Sequence, residues 1–506
     1  MYNCEVRKDL SSNMNHTYFK SRFNEIHFIL LVFFLVQCIG ITNPPLEIGH
    51  NWRQTITAMI ARNLSEYNFN VLYPRVDFTG NNSGIIGSEF PFFQSIIAFV
   101  HYCFGYSHWY GRLINLIIST WGAWNLYNIV KTAFNKRLAI NTTVIFLFSV
   151  WFSFSRKIMP DTFSIALMLL GARQLQLYWY RTHVIHLIFA FLGISLSILC
   201  KLPAIAWLAT LVFLITQKTS SNLNKKQNNA SIALLLTSVL AILPGLLWYF
   251  YWVPKLNVHF QLFYPKQLLE GFREILPHWS LLLEKFYFTA FYSFTALLLF
   301  CLGIIFLIQS RTYRFNQFKY VLVAFLCTFF LFILKTGDVF PKHTYYIIPF
   351  VPFMSFIAAL GIEFIRKKIV LKAHSNGRNW LSFLPSFLVL IAASEAFLNQ
   401  IHELSIKPTE LYKLELEKIG TNLPKDAMVI SNAGVNPQEL YFLNKKGWVK
   451  FPSQIEKPNV IDSLKMQKAK FLIINKNIQG NQPKLPYKST YESNNFKVYD
   501  LESENH

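Results

Sequence analysis

The sequence predicts a polytopic α-helical membrane protein that ends in a small α/β domain. Of its 506 residues, 53 % are hydrophobic, 17 % are aromatic and 15 % are charged, whereas a soluble chain carries about 25 % charged residues. Several apolar runs reach the roughly 20 residues that cross a bilayer as a helix. From Ile401 onward the chain becomes polar and rich in lysine, which indicates a final region outside the membrane.

The apolar runs predict about eleven transmembrane helices. They cover residues 26–42, 108–130, 138–155, 160–179, 184–199, 202–217, 230–252, 285–308, 320–335, 345–365 and 379–397. Basic residues concentrate in the loops that one orientation places inside, which puts the N-terminus in the cytoplasm and the C-terminal domain outside. We expect the plasma (inner) membrane. The net charge of +22 then reflects orientation and contact with membrane lipid, and no nucleic-acid partner is predicted.

This topology divides the chain into two predicted domains. Residues 1–397 form the transmembrane domain, in which the long first outer loop, 43–107, carries surface helices. Residues 398–506 form an extracytoplasmic α/β domain, since helical stretches alternate there with the short β-branched runs "DAMVISNAG", "KFLIINK" and "NFKVYDLE". A loop as long as 43–107 is uncommon unless it carries function or structure of its own.

An amphipathic helix is predicted in the first outer loop, in "HNWRQTITAMIARN". Its apolar residues recur at helical spacing, so that they share one face; they are Trp52, Ile56, Met59, Ile60 and Leu64. We expect this helix to rest on the membrane surface with its apolar side down.

Charged and aromatic residues gather at the predicted outer ends of the spans. A charged side chain at the end of a span is costly unless it is solvated or paired. The gathering of these residues on one side therefore favours a single shared polar site. The candidate catalytic acids are Glu47, Glu89 and Asp161. The candidate substrate-binding residues are His50, Arg53, Gln54, Arg156, Lys157, Lys201, His343, Tyr345 and Tyr346. The six cysteines show no CxxC spacing, and no metal site is predicted.

These residue types suit sugar transfer from a lipid carrier on the outer side. A carboxylate can take the proton of the acceptor hydroxyl, cations can hold the departing phosphate, and aromatic spans can line a groove for an isoprenoid tail. The donor would be a polyprenyl-phosphate-linked sugar, and the acceptor a glycan, lipid or protein. A transporter or flippase of lipid-linked sugars stays an alternative, although no internal repeat supports it; a polysaccharide polymerase is another.

The order of these motifs resembles the GT-C fold membrane glycosyltransferases, in a family 39-like branch similar to protein O-mannosyltransferases and aminoarabinose transferases. The resembling segments are "HNWRQTITAMIARN", "YPRVDFTG", "GSEFPFFQ", "SRKIMPDTFSIAL", "CKLPA" and "KHTYYIIPFVPFMSFIAALGI". The resemblance implies a polyprenyl-phosphate donor and inversion at the anomeric carbon. It also implies that Lys201, Arg156 and Lys157 hold the lipid phosphate. No cofactor is certain, and a divalent metal is possible.

The sequence departs from this family in the first outer loop. The resemblance implies a catalytic acid there, often within an Asp-Glu pair, but the corresponding stretch Arg53-Gln54-Thr55-Ile56 contains no acid. Three carboxylates could replace it: Glu47 from just upstream, Glu89 from the far end of the loop, or Asp161, which matches the second-loop acid of the family. Loss of activity is a fourth possibility.

Overall fold

The chain is mainly helical, with one β-sheet in its C-terminal part. The computed structural model describes residues 24–209, 225–260, 268–278, 280, 289–310, 313–370, 379–478 and 485–504. Its α-helices before residue 400 are Glu25–Gln37, Asn51–Glu66, Phe92–Phe104, Tyr110–Ala133, Lys136–Phe148, Trp151–Phe154, Pro160–Arg181, Val184–Cys200, Lys225–Leu247, Val253–Phe260, Leu268–Ile275, Phe294–Gln309, Tyr313–Thr336, Val339–Lys342, Val351–Ile365 and Leu384–Gln400. Short 3₁₀ or π turns connect several of them, including Leu202–Leu208, Trp248–Trp252, Thr344–Ile347 and Ile401–Leu404.

Each predicted span contains helix in its described part. Within the described residues, three helices are long and apolar enough to cross a membrane: Asn229–Phe260, Phe318–Thr336 and Trp380–Leu404. Shorter apolar helices accompany them. The count of eleven spans and their direction stay predictions. Residues 210–217 of one predicted span and 285–288 of another lie outside the described residues.

Proline lies in the first turn of two helical elements that border the candidate site. Pro160 opens the helix Pro160–Arg181, and Pro203 lies in the first turn of Leu202–Leu208. Proline suits this position because its fixed φ matches the helix and its missing N–H would have no helical partner there. A third proline, Pro244, lies inside a helix that passes into the π turn Trp248–Trp252, and both features commonly bend a helix.

The C-terminal part forms a five-stranded sheet. Its strands are β1 Val429–Ser431, β2 Gly447–Val449, β3 Phe471–Asn475, β4 Tyr487–Glu492 and β5 Phe496–Glu504. Their order is β2-β1-β3-β5-β4, with β2, β1 and β3 parallel and the remaining pairs antiparallel. The three β-branched runs are confirmed as β1, β3 and β5. We did not predict β2, which is only three residues long, or β4, whose sequence "YKSTYE" is largely polar.

The C-terminal sheet packs directly on the first long loop. One apolar core contains Met59 and Phe93 of that loop together with Val429 and Phe496 of the sheet. Loop backbone also extends the sheet at its β2 edge, where the Gly447 amide donates to the Asp77 carbonyl (2.9 Å) and the Gly80 amide donates to the Gly447 carbonyl (2.7 Å). The two predicted domains therefore share a core, and the boundary near residue 398 stays a prediction.

The helix predicted from residue 50 onward is present as Asn51–Glu66, but most of its residues are buried. Eleven of its residues are buried, including the polar Gln54 and Arg62. Its neighbours are the helix Phe92–Phe104 on one side and the C-terminal helix Gln438–Leu443 on another. The expectation of a helix lying apolar side down on the membrane surface is therefore wrong for most of its length, because the helix Phe92–Phe104 and the C-terminal region cover it. Trp52 keeps 42 % of its surface exposed.

Candidate active site

A cavity of about 200 Å³ lies where the helix Val184–Cys200 ends and the helix Pro160–Arg181 begins. It is lined by Glu89, Asp161, Lys201, Leu202, Pro203, Tyr249, Phe332, Thr336, Tyr345, Tyr346 and Pro349. Two carboxylates and one ammonium group thus face a wall that is otherwise aromatic and aliphatic. Such a wall with a few convergent polar groups is typical of ligand sites.

Asp161 is the acid whose geometry best suits proton transfer. It lies in the first turn of its helix, where the helix dipole favours negative charge. The residue is only 6 % exposed, and its Oδ1 lies 3.2 Å from the Lys201 Nζ. Within the described part of the chain, its Oδ2 is buried without a hydrogen-bond partner. Since a buried acceptor is normally satisfied, this oxygen is suited to accept a hydrogen bond from a ligand.

Lys201 stands between this acid and an aromatic ring. It directly follows the helix Val184–Cys200, so its side chain starts where that helix ends at the cavity. The ammonium group pairs with Asp161 and also lies 5.7 Å from the centre of the Tyr345 ring, within reach of a cation–π interaction. The cavity therefore holds a positive charge beside a partly free carboxylate.

Glu89 brings the first long loop to the cavity. It forms an ion pair with Arg53 of the helix Asn51–Glu66, and the two side chains are 11 % and 20 % exposed. The next amide, that of Phe90, donates to the Leu199 carbonyl (3.1 Å), which fixes this part of the loop beside Lys201. Arg53 thus reaches the site through Glu89 and does not itself line the cavity.

His50 and His343 meet behind the tyrosines of the cavity wall. The backbone of His50 is left-handed, with φ of 54°, a conformation uncommon outside glycine. Its Nε2 lies 3.2 Å from the Thr344 Oγ1. Its ring centre lies 5.5 Å from that of His343 and 4.9 Å from that of Tyr345. Tyr345 and Tyr346 line the cavity, so the predicted His-Tyr-Tyr segment does come to the site.

Three further predicted residues, Glu47, Arg156 and Lys157, join two residues that were not predicted, Arg112 and Glu403. We call this set the buried ionic cluster. Glu47 is fully buried, and its two oxygens pair with Arg112 and Arg156, whose side chains are also fully buried. Lys157 pairs with Glu403 (2.5 Å). Each carboxylate of the cluster thus has a basic partner, and Glu47 does not line the cavity.

The basic side chains of the buried ionic cluster also donate to backbone carbonyls. Arg156 donates to the carbonyls of Gln37 and Gly40 (2.7 and 3.0 Å), and Lys157 donates to those of Ile48 and Gly49 (3.0 and 3.1 Å). The predicted Gln54 behaves similarly, because its Oε1 accepts from the Ile158 amide (3.2 Å). These side chains hold the chain around the cavity in place.

The predicted site residues therefore fall into three groups. Those that line the cavity are Glu89, Asp161, Lys201, Tyr345 and Tyr346. Those that contact a lining residue from behind are His50, Arg53 and His343. Those whose polar groups bind other parts of the protein are Glu47, Gln54, Arg156 and Lys157.

Sequence reasoning missed several residues that matter here. Tyr249 and Thr336 line the cavity, but an aromatic or a threonine inside an apolar run carries no signal of its own. Arg112 did carry one, since an arginine in a predicted span normally has a buried partner. Among the described residues, no group of three or more His, Cys, Asp or Glu is placed to hold a metal ion.

Outside the helical bundle, Glu410 joins the first long loop to the C-terminal region. Its Oε2 accepts from the Asn51 Nδ2 (2.9 Å) and from Lys413 (3.1 Å), while Lys407 donates to its Oε1 (2.7 Å). Burial favours the neutral acid, but the hydrogen bonds and charges of the two lysines outweigh it and lower the pKa of Glu410. The carboxylate therefore stays ionised and binds the start of the helix Asn51–Glu66 to the C-terminal region.

The segment that contains three of the cavity residues is similar to a known protein family. Residues 88–248, which contain Glu89, Asp161 and Lys201, match the family described as dolichyl-phosphate-mannose-protein mannosyltransferase. A search of curated proteins finds no significant match.

Solved structures share the fold across nearly the whole chain. ArnT from Cupriavidus metallidurans, crystallised with undecaprenyl phosphate, is similar with a TM-score of 0.59 at 10 % identity, over 94 % of this chain and 98 % of that one. The oligosaccharyltransferase AglB from Archaeoglobus fulgidus, in complex with an inhibitory peptide and a dolichol-phosphate, is similar with a TM-score of 0.60 at 12 % identity, over 91 % and 70 %. The predicted resemblance to GT-C fold membrane proteins is confirmed.

Proposed function

We propose that this chain is a glycosyltransferase that moves a sugar from a polyprenyl-phosphate donor to an acceptor hydroxyl at the outer face of the membrane. The observation that carries the proposal is the cavity in which Asp161 keeps one oxygen on Lys201 and the other without a partner among the described residues. The mannosyltransferase match over this segment supports it. So does the fold shared with two proteins whose structures hold a polyprenyl or dolichyl phosphate.

The reaction is a single displacement at the anomeric carbon. The acceptor oxygen attacks that carbon while its proton passes to Asp161, and the bond from the carbon to the phosphate oxygen breaks. The electron pair leaves with the polyprenyl phosphate, so the configuration at the carbon inverts. A general base of this kind contributes about 10²- to 10⁴-fold to the rate.

Lys201 is the group proposed to hold the departing phosphate. A cation aimed at the charge that develops in the transition state stabilises it more strongly than it stabilises the bound donor. Lys201 already lies beside the base and against the face of Tyr345. Arg53 pairs with Glu89 and so offsets the negative charge that this carboxylate brings to the same cavity. The aromatic and aliphatic part of the wall, with Tyr249 and Phe332, faces the sugar or the first isoprene units.

Asp161 is proposed as the base in preference to the other two acids. Glu47 is fully buried with two arginines on its oxygens, so neither a substrate nor a proton from it can reach this carboxylate. Glu89 lines the cavity but is engaged by Arg53. Asp161 thus takes the role that the resemblance gives to an acid of the first loop, and Glu47 is assigned a role in stability.

Purified protein supplied with a panel of polyprenyl-phosphate sugars tests the proposal. We expect the wild type to release polyprenyl phosphate with at least one donor, and Asp161→Asn to lose about 100-fold or more of that rate. Asp462→Asn, at an exposed acid of the C-terminal region, is the matched control and should keep it. A wild type that carries lipid-linked sugar across vesicle membranes, but cleaves no donor in the panel, would support the transporter alternative instead.

A further inference from the structure

The segment that leads into the C-terminal region runs directly beside the candidate site. Residues 46–48 and 405–407 pair as antiparallel backbone: the Ile48 amide donates to the Ser405 carbonyl (3.0 Å) and the Lys407 amide donates to the Leu46 carbonyl (2.9 Å). Glu403 lies two residues before this pairing begins. Its carboxylate is 12 % exposed and contacts Lys157 at 2.5 Å.

Lys157 passes this contact to the turn before the helix Asn51–Glu66. An ammonium group has three hydrogens to donate, and those of Lys157 have three acceptors: Glu403, the Ile48 carbonyl and the Gly49 carbonyl. The ammonium also lies 4.9 Å from the centre of the Phe154 ring. It therefore holds two successive carbonyls immediately before His50.

The turn that Lys157 holds is conformationally demanding. Gly49 and His50 both have positive φ, 81° and 54°, which L-residues with a side chain adopt only at a cost. A Cβ added to Gly49 would meet the Lys157 Nζ at 2.6 Å and the Glu403 Oε2 at 2.9 Å, so the ion pair fills the space that a side chain would need. Backbone in such a conformation persists only where the surrounding structure imposes it.

The ring of His50 transmits the position of this turn to the cavity. It packs edge-on against Tyr345, with ring centres 4.9 Å apart, and its Nε2 lies 3.2 Å from the Thr344 Oγ1. Tyr345 lines the cavity and carries Lys201 against its face. A displacement of His50 would therefore move the aromatic surface that supports Lys201.

We infer that Glu403 is a positioning residue of the candidate site. Through Lys157 it holds the Gly49–His50 turn, and through His50 and Tyr345 it sets the place of Lys201 beside Asp161. The C-terminal region thus takes part in the proposed transfer from outside the segment that matches the mannosyltransferase family. This inference rests on the proposed function, and it predicts an effect on turnover more than on donor affinity, because Glu403 touches neither the phosphate nor the lipid tail.

The test compares Glu403→Gln with Glu417→Gln. Glu417 also joins the C-terminal region to the preceding part of the chain, through His108 at 2.8 Å, but it does not line the cavity. We expect Glu403→Gln to lower kcat about tenfold with KM for the donor changed less than threefold, since small misplacements at a reacting centre are costly. Glu417→Gln should match the wild type, and Glu403→Asp should recover part of the loss. Equal kcat in all variants would overturn the inference while leaving the proposed function intact.

A second readout does not depend on turnover. The rate at which diethyl pyrocarbonate modifies His50, followed by mass spectrometry on folded full-length protein, reports whether the ring stays packed against Tyr345. We expect this rate to rise about fivefold in Glu403→Gln and to stay unchanged in Glu417→Gln. If the wild type cleaves no donor, the proposed function fails, and this readout alone decides the positioning role. An unchanged rate in Glu403→Gln contradicts that role.

Discussion

Glu47 and Asp161 are both acids paired with basic side chains, but they differ in what their second oxygen meets. In the buried ionic cluster, Glu47 is fully buried and each oxygen pairs with a different arginine. At the cavity, Asp161 pairs with one lysine and keeps an oxygen without a partner among the described residues. The segment from Arg156 to Asp161 contributes to both, so only a few residues separate a fully paired charge from the acid that we propose as the base.

The difference shows that a paired carboxylate can either fix the structure or take part in chemistry. A buried ion pair with both partners satisfied contributes little net stability, yet removal of one partner is costly because the other charge stays buried. Such a pair fixes geometry. A carboxylate that lies in a cavity wall with spare hydrogen-bonding capacity can instead bind and take a proton. We therefore expect stability to depend on Glu47 and turnover to depend on Asp161.

The largest effect is expected from Glu47→Gln. This change leaves Arg112 and Arg156 buried with a neutral partner, and breaking a buried ion pair costs about 3–5 kcal/mol. The folded yield and the melting temperature in detergent should fall sharply, while turnover per folded molecule stays within about threefold of the wild type. A variant with normal melting but no turnover would show that Glu47 acts in the chemistry.

Lys201→Ala should have the next largest effect. The loss of a charged hydrogen bond to the phosphate is worth about 1.5–3 kcal/mol, or roughly tenfold to a hundredfold in kcat/KM for the donor. Lys201→Arg should retain part of the activity because it keeps the charge. Steady-state kinetics over a range of donor concentrations checks this. Unchanged kinetics in Lys201→Ala would remove the lysine from the site.

A smaller effect is expected at the pair from the first long loop. Glu89→Gln should lower kcat/KM by about threefold to tenfold, because the uncharged amide holds Arg53 beside the cavity about 1 kcal/mol less strongly than the carboxylate does. Arg53→Ala should give a similar loss, and the double variant should lose little more than either single one. Fully additive losses would mean that the two residues act separately.

The smallest effect is a pH dependence of stability at Glu410. Its pKa is lowered in the folded protein, so the folded state binds the proton less readily than the unfolded state does. Ionised Glu410 thus contributes stability above the ordinary value of 4.5, and that contribution is lost as the pH falls through the lowered pKa. Glu410→Gln should lower the melting temperature at pH 7 and lose this difference as the pH falls well below 4.5. A difference independent of pH would contradict the assignment.

Much of the architecture could be read from the sequence because local signals produce it. The apolar runs indicate helices, and the β-branched runs indicate β1, β3 and β5. The candidate site was harder, since pairing over long chain distances leaves no local trace. Glu47 has the same sequence signal as Asp161, and only the folded chain shows that Arg112 lies against the former and a cavity against the latter.

The helix Asn51–Glu66 also shows that contacts over long chain distances decide which residues are buried. Its amphipathic pattern indicates one apolar face, but polar residues are buried as well: Gln54 binds the Ile158 amide, and Arg62 lies against the C-terminal region. Arg62 donates to the Tyr441 carbonyl (2.7 Å) and to Asp77 (2.8 Å). Contact with a region hundreds of residues away decided which side of this helix is exposed.

The most direct test of the account is the turnover per folded molecule of Asp161→Asn and Glu47→Gln, measured side by side with a polyprenyl-phosphate sugar that the wild type cleaves. We expect Asp161→Asn to melt like the wild type and lose about 100-fold or more of its turnover, and Glu47→Gln to melt early yet turn over nearly normally once the folded fraction is counted. The reverse pattern, with Asp161→Asn active and folded Glu47→Gln inactive, would contradict it.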